Sequence, residues 1–234
     1  MLISRFGSAN VDAAVCKNAI LGATLVISAV PEMCLIENVQ ERVCVTLFAL
    51  ITSRNDQLAR VALQCTRSFM TLGLKGGSSE SAQITGAAFI RILLPALLCF
   101  ITSELETLSC NGLLDEVVKV MLVPCFVSSV ATMSLIVSVL VRVSSTPAGA
   151  QAHATVLSNL LQLASQHQIK FREMMAYLSP DVRAALEAGF KTVLLSSQLQ
   201  AQPDGATNAL ASTPGAVLEE SLAPKIQLKS FGSF

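Results

Sequence analysis

The chain has 234 residues, 52% of them apolar and only 14% charged, so it can bury a sizeable core and is far from the composition of a disordered chain. Sixteen basic residues balance sixteen acidic ones. That balance provides no global field for nucleic acid or anionic lipid and excludes nucleic acid as an expected partner.

Taken in order, the chain reads as helices and turns. The segment from Met1 to Gly22 has Arg5, then Asp12 and Lys17, before any long apolar run, which is not the layout of a secretion signal. A first helix is expected from Asn10 to Val30, with Asp12 complementing its dipole. Pro31 then suits the first position of a second helix running to Ser53. In it Leu35, Ile36, Val39, Val43 and Leu47 recur at helical spacing, and Glu37, Gln40, Glu41 and Arg42 take the other face. Ser53 or Asn55 caps a third helix to Leu74, whose Leu58, Ala62, Cys65, Phe69 and Leu72 lie opposite Arg60, Gln64 and Arg67.

Lys75 to Ser81 breaks the pattern. A helix from about Ser81 to Ser109 follows, with Arg91 in its apolar middle and Pro95 expected to kink or split it. Asn111 and Gly112 make a turn into a helix from Leu113. Ser144 to Gly149 is a loop, and helical periodicity resumes from Ala150 to Leu178. Ser179, Pro180 and Asp181 supply a cap, an N1 proline and an early acid for a last helix to about Gln200. Beyond it a stretch rich in Pro, Gly, Ala, Ser and Thr reads as a disordered tail, 200–234, and only its end regains apolar character.

The 22 residues from Val120 to Val141 carry no charge, and their surroundings decide the class of the protein. Lipid could bury them, since about 20 apolar residues cross a bilayer. So could the inner layer of a helical solenoid, either as one bent helix or as two short ones. The chain has no Trp and one Tyr to anchor an interface. The flanking charges show no bias, and neighbouring helices carry Arg60, Arg67 and Arg91 mid-length, where a bilayer would charge about 2.5–3.5 kcal/mol for each. The solenoid is therefore expected, with this stretch packed against the helices at 81–109 and 150–166. A multi-span membrane protein with a transmembrane helix near 120–141 is the alternative. An importin-like solenoid lacks the acidic inner-face runs that would hold basic cargo.

Few side chains suggest chemistry. Seven cysteines, none in a C-x-x-C, mostly lie in apolar runs and read as buried free thiols. His153 and His167 have no acid at metal-ligand spacing. Gly73 to Ser79 resembles a phosphate loop only superficially, lacking its G-K-[ST] end and a preceding strand. Neither a catalytic site nor a cofactor is expected. Phe231, Gly232 and Phe234 at the C-terminus suit docking into shallow apolar pockets, on a partner or, with Ile226 and Leu228 as anchors, on the chain's own solenoid.

Leu160 to Lys191, LLQLASQHQIKFREMMAYLSPDVRAALEAGFK, followed after the spacer by PKIQLKSFG at Pro224 to Gly232, resembles the C-terminal end of the large HEAT-repeat accessory proteins of the clathrin adaptor, the HEAT-repeat-containing protein five family. The resemblance implies a non-catalytic solenoid that associates with adaptor protein complex one at the trans-Golgi network and endosomes, peripheral rather than integral to the membrane. It further implies that preceding repeats of a longer chain cover an apolar face on the N-terminal helices. The FGSF end also looks like the short peptides that bind adaptor ears, with Phe231, Gly232 and Phe234 matching and Ser233 standing where an acid or proline is usual.

The reading as a whole is an all-α, HEAT/armadillo-like α-solenoid of about four helical pairs over 1–199 with a disordered C-terminal tail. It has a period near 47 residues and acts as a scaffold.

Overall fold

The computed structural model describes residues 13–36, 38–74, 78–127, 129–146 and 150–200, and among them every regular element is helical. The helices are α1 (Ala13–Ala29), α2 (Val39–Ile51), α3 (Asp56–Met70), α4 (Glu80–Ser103) and α5 (Leu105–Cys110). They continue as α6 (Leu114–Val127), α7 (Val130–Ser144), α8 (Ala150–Gln166), α9 (Gln168–Tyr177) and α10 (Pro180–Gln200), and a 3-10 turn, Pro31–Leu35, lies between α1 and α2. Local chemistry explains several starts. The Asn55 side chain accepts from the amides of Gln57 and Leu58, each at 3.1 Å, and the Ser79 and Ser129 hydroxyls accept from Ala82 and Thr132 at 3.2 and 3.3 Å.

These helices pack as two layers. In one, α1 lies on α3, α3 on α6 and α6 on α8; in the other, the 3-10 turn and α2 lie on α4, α4 on α7, and α7 on α9 and α10. Taking one element from each layer gives four pairs, as the helical spacing predicts: α1 with the 3-10 turn that leads into α2, α3 with α4, α6 with α7, and α8 with α9 and α10. The repeats are unequal, however, because the first-layer helices begin at Ala13, Asp56, Leu114 and Ala150. The additional short helix α5 lengthens the second repeat.

Several boundaries differ from those expected. The helix predicted from Pro31 to Ser53 is a 3-10 turn followed by α2, separated at Asn38, which has φ 64°. Asparagine tolerates this left-handed conformation better than most residues. The turn is held by Thr85, fully buried in α4, whose hydroxyl donates to the Pro31 carbonyl at 3.2 Å. Pro95 does not split α4. It and Arg91, whose carbonyl it deprives of an amide partner, both face solvent, so water can satisfy that carbonyl. The break comes instead at Glu104, whose φ of −119° and ψ of 23° end α4 before α5. The segment 150–178 divides at His167 into α8 and α9. Gly112 makes the turn before α6 with φ +63°, beside Arg60, whose guanidinium donates to the Asn111 carbonyl at 3.0 Å.

The uncharged stretch is two helices. α6 and α7 meet at Ser129, neither reaches the length of a bilayer crossing, and they pack on each other. Val117, Val118, Met121 and Cys125 of α6 and Met133, Ile136, Val137 and Leu140 of α7 are fully buried. Their expected neighbours α4 and α8 are present, and α3 also covers α6 while α9 and α10 cover α7. The one described helix long and apolar enough to cross a membrane is α4, with 24 residues. It bears Arg91 on its outer face and packs on α2, α3, α6 and α7.

Where α6 ends, the last-turn carbonyls have no partner within the helix. Lys170 of α9 supplies one, its ammonium donating to the Cys125 carbonyl at 2.7 Å, and its charge also complements the negative end of the helix. The split at His167 makes this possible, and places the imidazole 4.9 Å from the Phe126 ring. Replacing Lys170 with Met should therefore lower unfolding stability in urea by about 1.5–3 kcal/mol, the usual worth of a hydrogen bond to a charged group. An unchanged transition midpoint would show that the α6 terminus needs no cation.

Candidate partner-binding surface

The residues singled out for partner binding, Ile226, Leu228, Phe231, Gly232 and Phe234, lie outside the described residues, as does all of the expected tail, 200–234, except Gln200, which is the last residue of α10. The surface available for analysis is that of the two layers, which differ in chemistry.

The first layer presents polar groups engaged with one another. Asn111, in the turn before α6, donates from its amide to Asp56 of α3 at 3.2 Å. One helix further, Asp115 of α6 pairs with Lys119 on the next turn and accepts from the amide of Asn159, itself nearly buried in α8, at 2.8 Å. Glu116 lies 3.7 Å from the same ammonium. These contacts lock α3, α6 and α8 side by side, so this face is a built edge of the stack. The sequence hinted at it only through the acids at the start of α6. Asn159 was not foreseen, because a lone asparagine in an apolar helix carries no pattern.

The second layer exposes apolar side chains, among them Val45 of α2, Ile84 and Ile92 of α4, Leu135 of α7 and Tyr177 of α9. Two open depressions interrupt the surface. One, of about 310 Å³, lies where the end of α3 meets the start of α4 and is lined by Met70, Gly73, Leu74, Gln83, Gly86, Ala87 and Ile90. The helices approach closely there: a β-carbon on Gly73 would lie 2.9 Å from the Gln83 Cα, and one on Gly86 would lie 3.2 Å from the Gly73 nitrogen. Gly73 thus serves packing, and Ser78 and Ser79 serve a backbone carbonyl and the α4 cap, with no phosphate-binding geometry among the described part of the loop. The other, of about 280 Å³, lies between the α4–α5 junction and the end of α7, where Thr107 donates to Glu104 at 3.2 Å. Both are shallow and suit a side chain of a docked protein better than an enclosed small molecule.

The cysteines are all free thiols, but the expectation of burial holds for five of them only: Cys99 and Cys110 are exposed, because each falls on the outward side of its helix. Burial pushes the Cys34 and Cys65 thiols up and takes Cys44 and Cys125 to about 12, the opposite of the depressed thiol of a nucleophile. Among the described residues no group of His, Cys, Asp and Glu is placed to hold a metal ion.

Asp115 offers a test of the first-layer tie. Burial raises its carboxyl, but hydrogen bonds from Lys119 and Asn159 and the Lys119 charge together outweigh that effect and hold it below the ordinary aspartate value. A carboxyl depressed in the folded state contributes stability that is present above the unfolded value and lost as pH falls through the folded one. An NMR titration should therefore give Asp115 a midpoint lower than that of an ordinary aspartate, and one that rises in Asn159→Ala; identical midpoints in the two proteins would contradict the tie.

Comparison with known proteins adds the family. No curated protein and no solved structure matches the chain, whereas the family described as LAA1-like, C-terminal TPR repeats matches residues 37–202. The match runs from the start of α2 past the end of α10, over two-thirds of the chain, and leaves out α1 and the 3-10 turn. It describes the repeats as tetratricopeptide rather than HEAT, and both are stacked helical pairs. Repeats of this kind are protein-binding scaffolds. On a match of that extent, over helices that stack pair upon pair, the chain belongs to the family of LAA1-like C-terminal repeats.

Proposed function

We propose that this chain is a non-enzymatic helical scaffold of clathrin-adaptor-dependent traffic, peripheral to membranes of the trans-Golgi network and endosomes and associated with adaptor protein complex one. The observation that carries this reading is the match of residues 37–202 to LAA1-like repeats, because it contains the stretch Leu160 to Lys191 on which the resemblance to adaptor accessory proteins rests. The two-layer stack supports it further. Its exposed side chains are dispersed over a broad face with shallow depressions, a form that displays surface to other proteins.

In this reading the helical pairs act by presentation. Layers locked by contacts such as Asp115–Asn159 keep their shape while a partner docks, and little ordering entropy is lost on the scaffold's side. The C-terminal peptide is a second, tethered contact. Phe231 and Phe234 are the anchors for an adaptor ear, Gly232 lets the backbone approach closely, and Ile226 and Leu228 extend the apolar contact. A weak peptide on a tether gains from the effective concentration its linker sets, so a modest intrinsic affinity suffices once the scaffold is in place.

The ear domain should capture a peptide of residues 220–234, and Phe231→Ala together with Phe234→Ala should reduce capture at least tenfold, the loss of about 1.4 kcal/mol or more. Equal capture of both peptides would remove the terminal peptide from the account.

A further inference from the structure

The turn between α5 and α6 holds the one Asn-Gly pair in the chain, Asn111–Gly112. An asparagine before glycine is open to attack by its own backbone. The glycine nitrogen and the asparagine side-chain carbonyl carbon can close a five-membered ring, and no side chain on the glycine stands in the way. The other asparagines are each followed by a residue whose side chain crowds that nitrogen. Both residues of the turn are exposed, so water reaches them, and the turn depends on its glycine because Gly112 has φ +63°.

Two side chains of α3 hold this pair from 51 and 55 residues earlier in the chain. The peptide unit joining Asn111 to Gly112 is fixed at both ends. Arg60 donates to its oxygen at 3.0 Å, and its N–H donates to the Ser109 carbonyl at 3.3 Å. The Asn111 side chain is fixed as well, its amide donating to Asp56 at 3.2 Å. At a ψ of −1° the Gly112 nitrogen eclipses the Asn111 nitrogen and stands away from the side chain. Bringing it to Asn111 Cγ requires that peptide unit to rotate, which breaks the hydrogen bonds with Arg60 and Ser109.

We infer that Asn111 is a self-modification site, gated by Arg60 and Asp56, whose product undoes the contact that protected it. When the turn opens, the Gly112 nitrogen gives its proton to water and attacks Asn111 Cγ. The N–Cγ bond forms, Cγ–Nδ2 breaks, and the side-chain nitrogen takes up a proton and leaves as ammonia. Water then opens the cyclic imide at one carbonyl or the other, giving aspartate, or isoaspartate in which the main chain runs through the former side chain. Either product sets a carboxylate where an amide donated to Asp56. Arg60 beside the turn offsets part of the repulsion, but the donor is gone, and α3 loses a contact with the turn that leads into α6. The first layer therefore loosens as the molecule ages. This chemistry needs no partner and is independent of the adaptor reading.

The full chain, incubated at mildly alkaline pH and followed by peptide mapping, should gain the mass of amide-to-acid conversion at Asn111 before any other asparagine. Methyl transfer from S-adenosylmethionine by an isoaspartate-specific methyltransferase should confirm isoaspartate in the same peptide. The chain unfolded in urea gives the ungated rate, and the folded chain should convert about tenfold more slowly. Arg60→Ala should speed conversion about threefold with unchanged helical circular dichroism, the worth of an exposed charged contact. Asp56→Ala, which frees the side chain and leaves Arg60 in place, should speed it independently. Asn111→Asp should lower the melting temperature, and adding Asp56→Asn should recover most of the loss by returning a donor to the pair. No conversion at Asn111, earlier conversion at another asparagine, or equal rates in the folded and unfolded chains overturns the proposal. So does an Arg60→Ala protein that converts no faster than the original, or Asn111→Asp with an unchanged melting temperature.

Discussion

The interruption of the apolar run at Ser129 decides what surrounds it. As one continuous helix, Val120 to Val141 would extend about 33 Å and match the thickness of a hydrocarbon core. Divided between α6 and α7 it turns back on itself, and each half covers the other while α3, α4, α8, α9 and α10 cover the rest. Two polar contacts make the division affordable in an apolar setting. Ser129 accepts from the amide of Thr132 at the start of α7, and Lys170 donates to the Cys125 carbonyl at the end of α6. The first lies at an exposed turn that water also reaches, but the second is part-buried, so without Lys170 the Cys125 carbonyl would be the costly group to leave unpaired.

Most of the fold follows from that pair. α6 is flanked by α3 and α8 in its own layer and by α4 and α7 in the other, which is why its apolar residues need no polar face and why its sequence looked like a membrane span. The few charges it does carry, Asp115, Glu116 and Lys119, fall at the edge where α8 approaches and become a tie between repeats. A stack held this way is a rigid platform. In the proposed reading its function lies in what it displays, which fits membership of a family of C-terminal helical repeats.

How much of this was legible in the sequence depends on where each signal resided. The amphipathic α3 with its Asn55 cap, and the Ser179-Pro180-Asp181 start of α10, are local signals and were readable. Pro95 and Pro31 misled because the effect of a proline depends on which way it faces. Pro95 is on the solvent side of α4 and leaves the helix intact, and Pro31 opens a 3-10 turn whose direction is set by Thr85, distant in sequence. The break at His167 has no strong local cause; it is stabilised by contacts of His167 and Lys170 with α6 that no window of sequence contains. Cys99 and Cys110 looked buried because their neighbours are apolar, but a helix in a two-layer stack keeps one side outside. The C-terminal peptide read from sequence lies beyond the described helices, and among the described residues the exposed apolar side chains of α1, such as Leu25 and Val26, lie on the N-terminal helices where the resemblance places an apolar face.

The central claim, that the uncharged stretch is a folded-back pair, is tested most directly by the distance between its ends. Spin labels placed through noncanonical residues at Glu116 and Arg142 in the full chain, free of detergent, should lie within about 20 Å of each other, since packed helix axes are about 8–10 Å apart. A single helix through the same residues would separate them by about 39 Å at 1.5 Å per residue, and a distance distribution centred there would contradict the account.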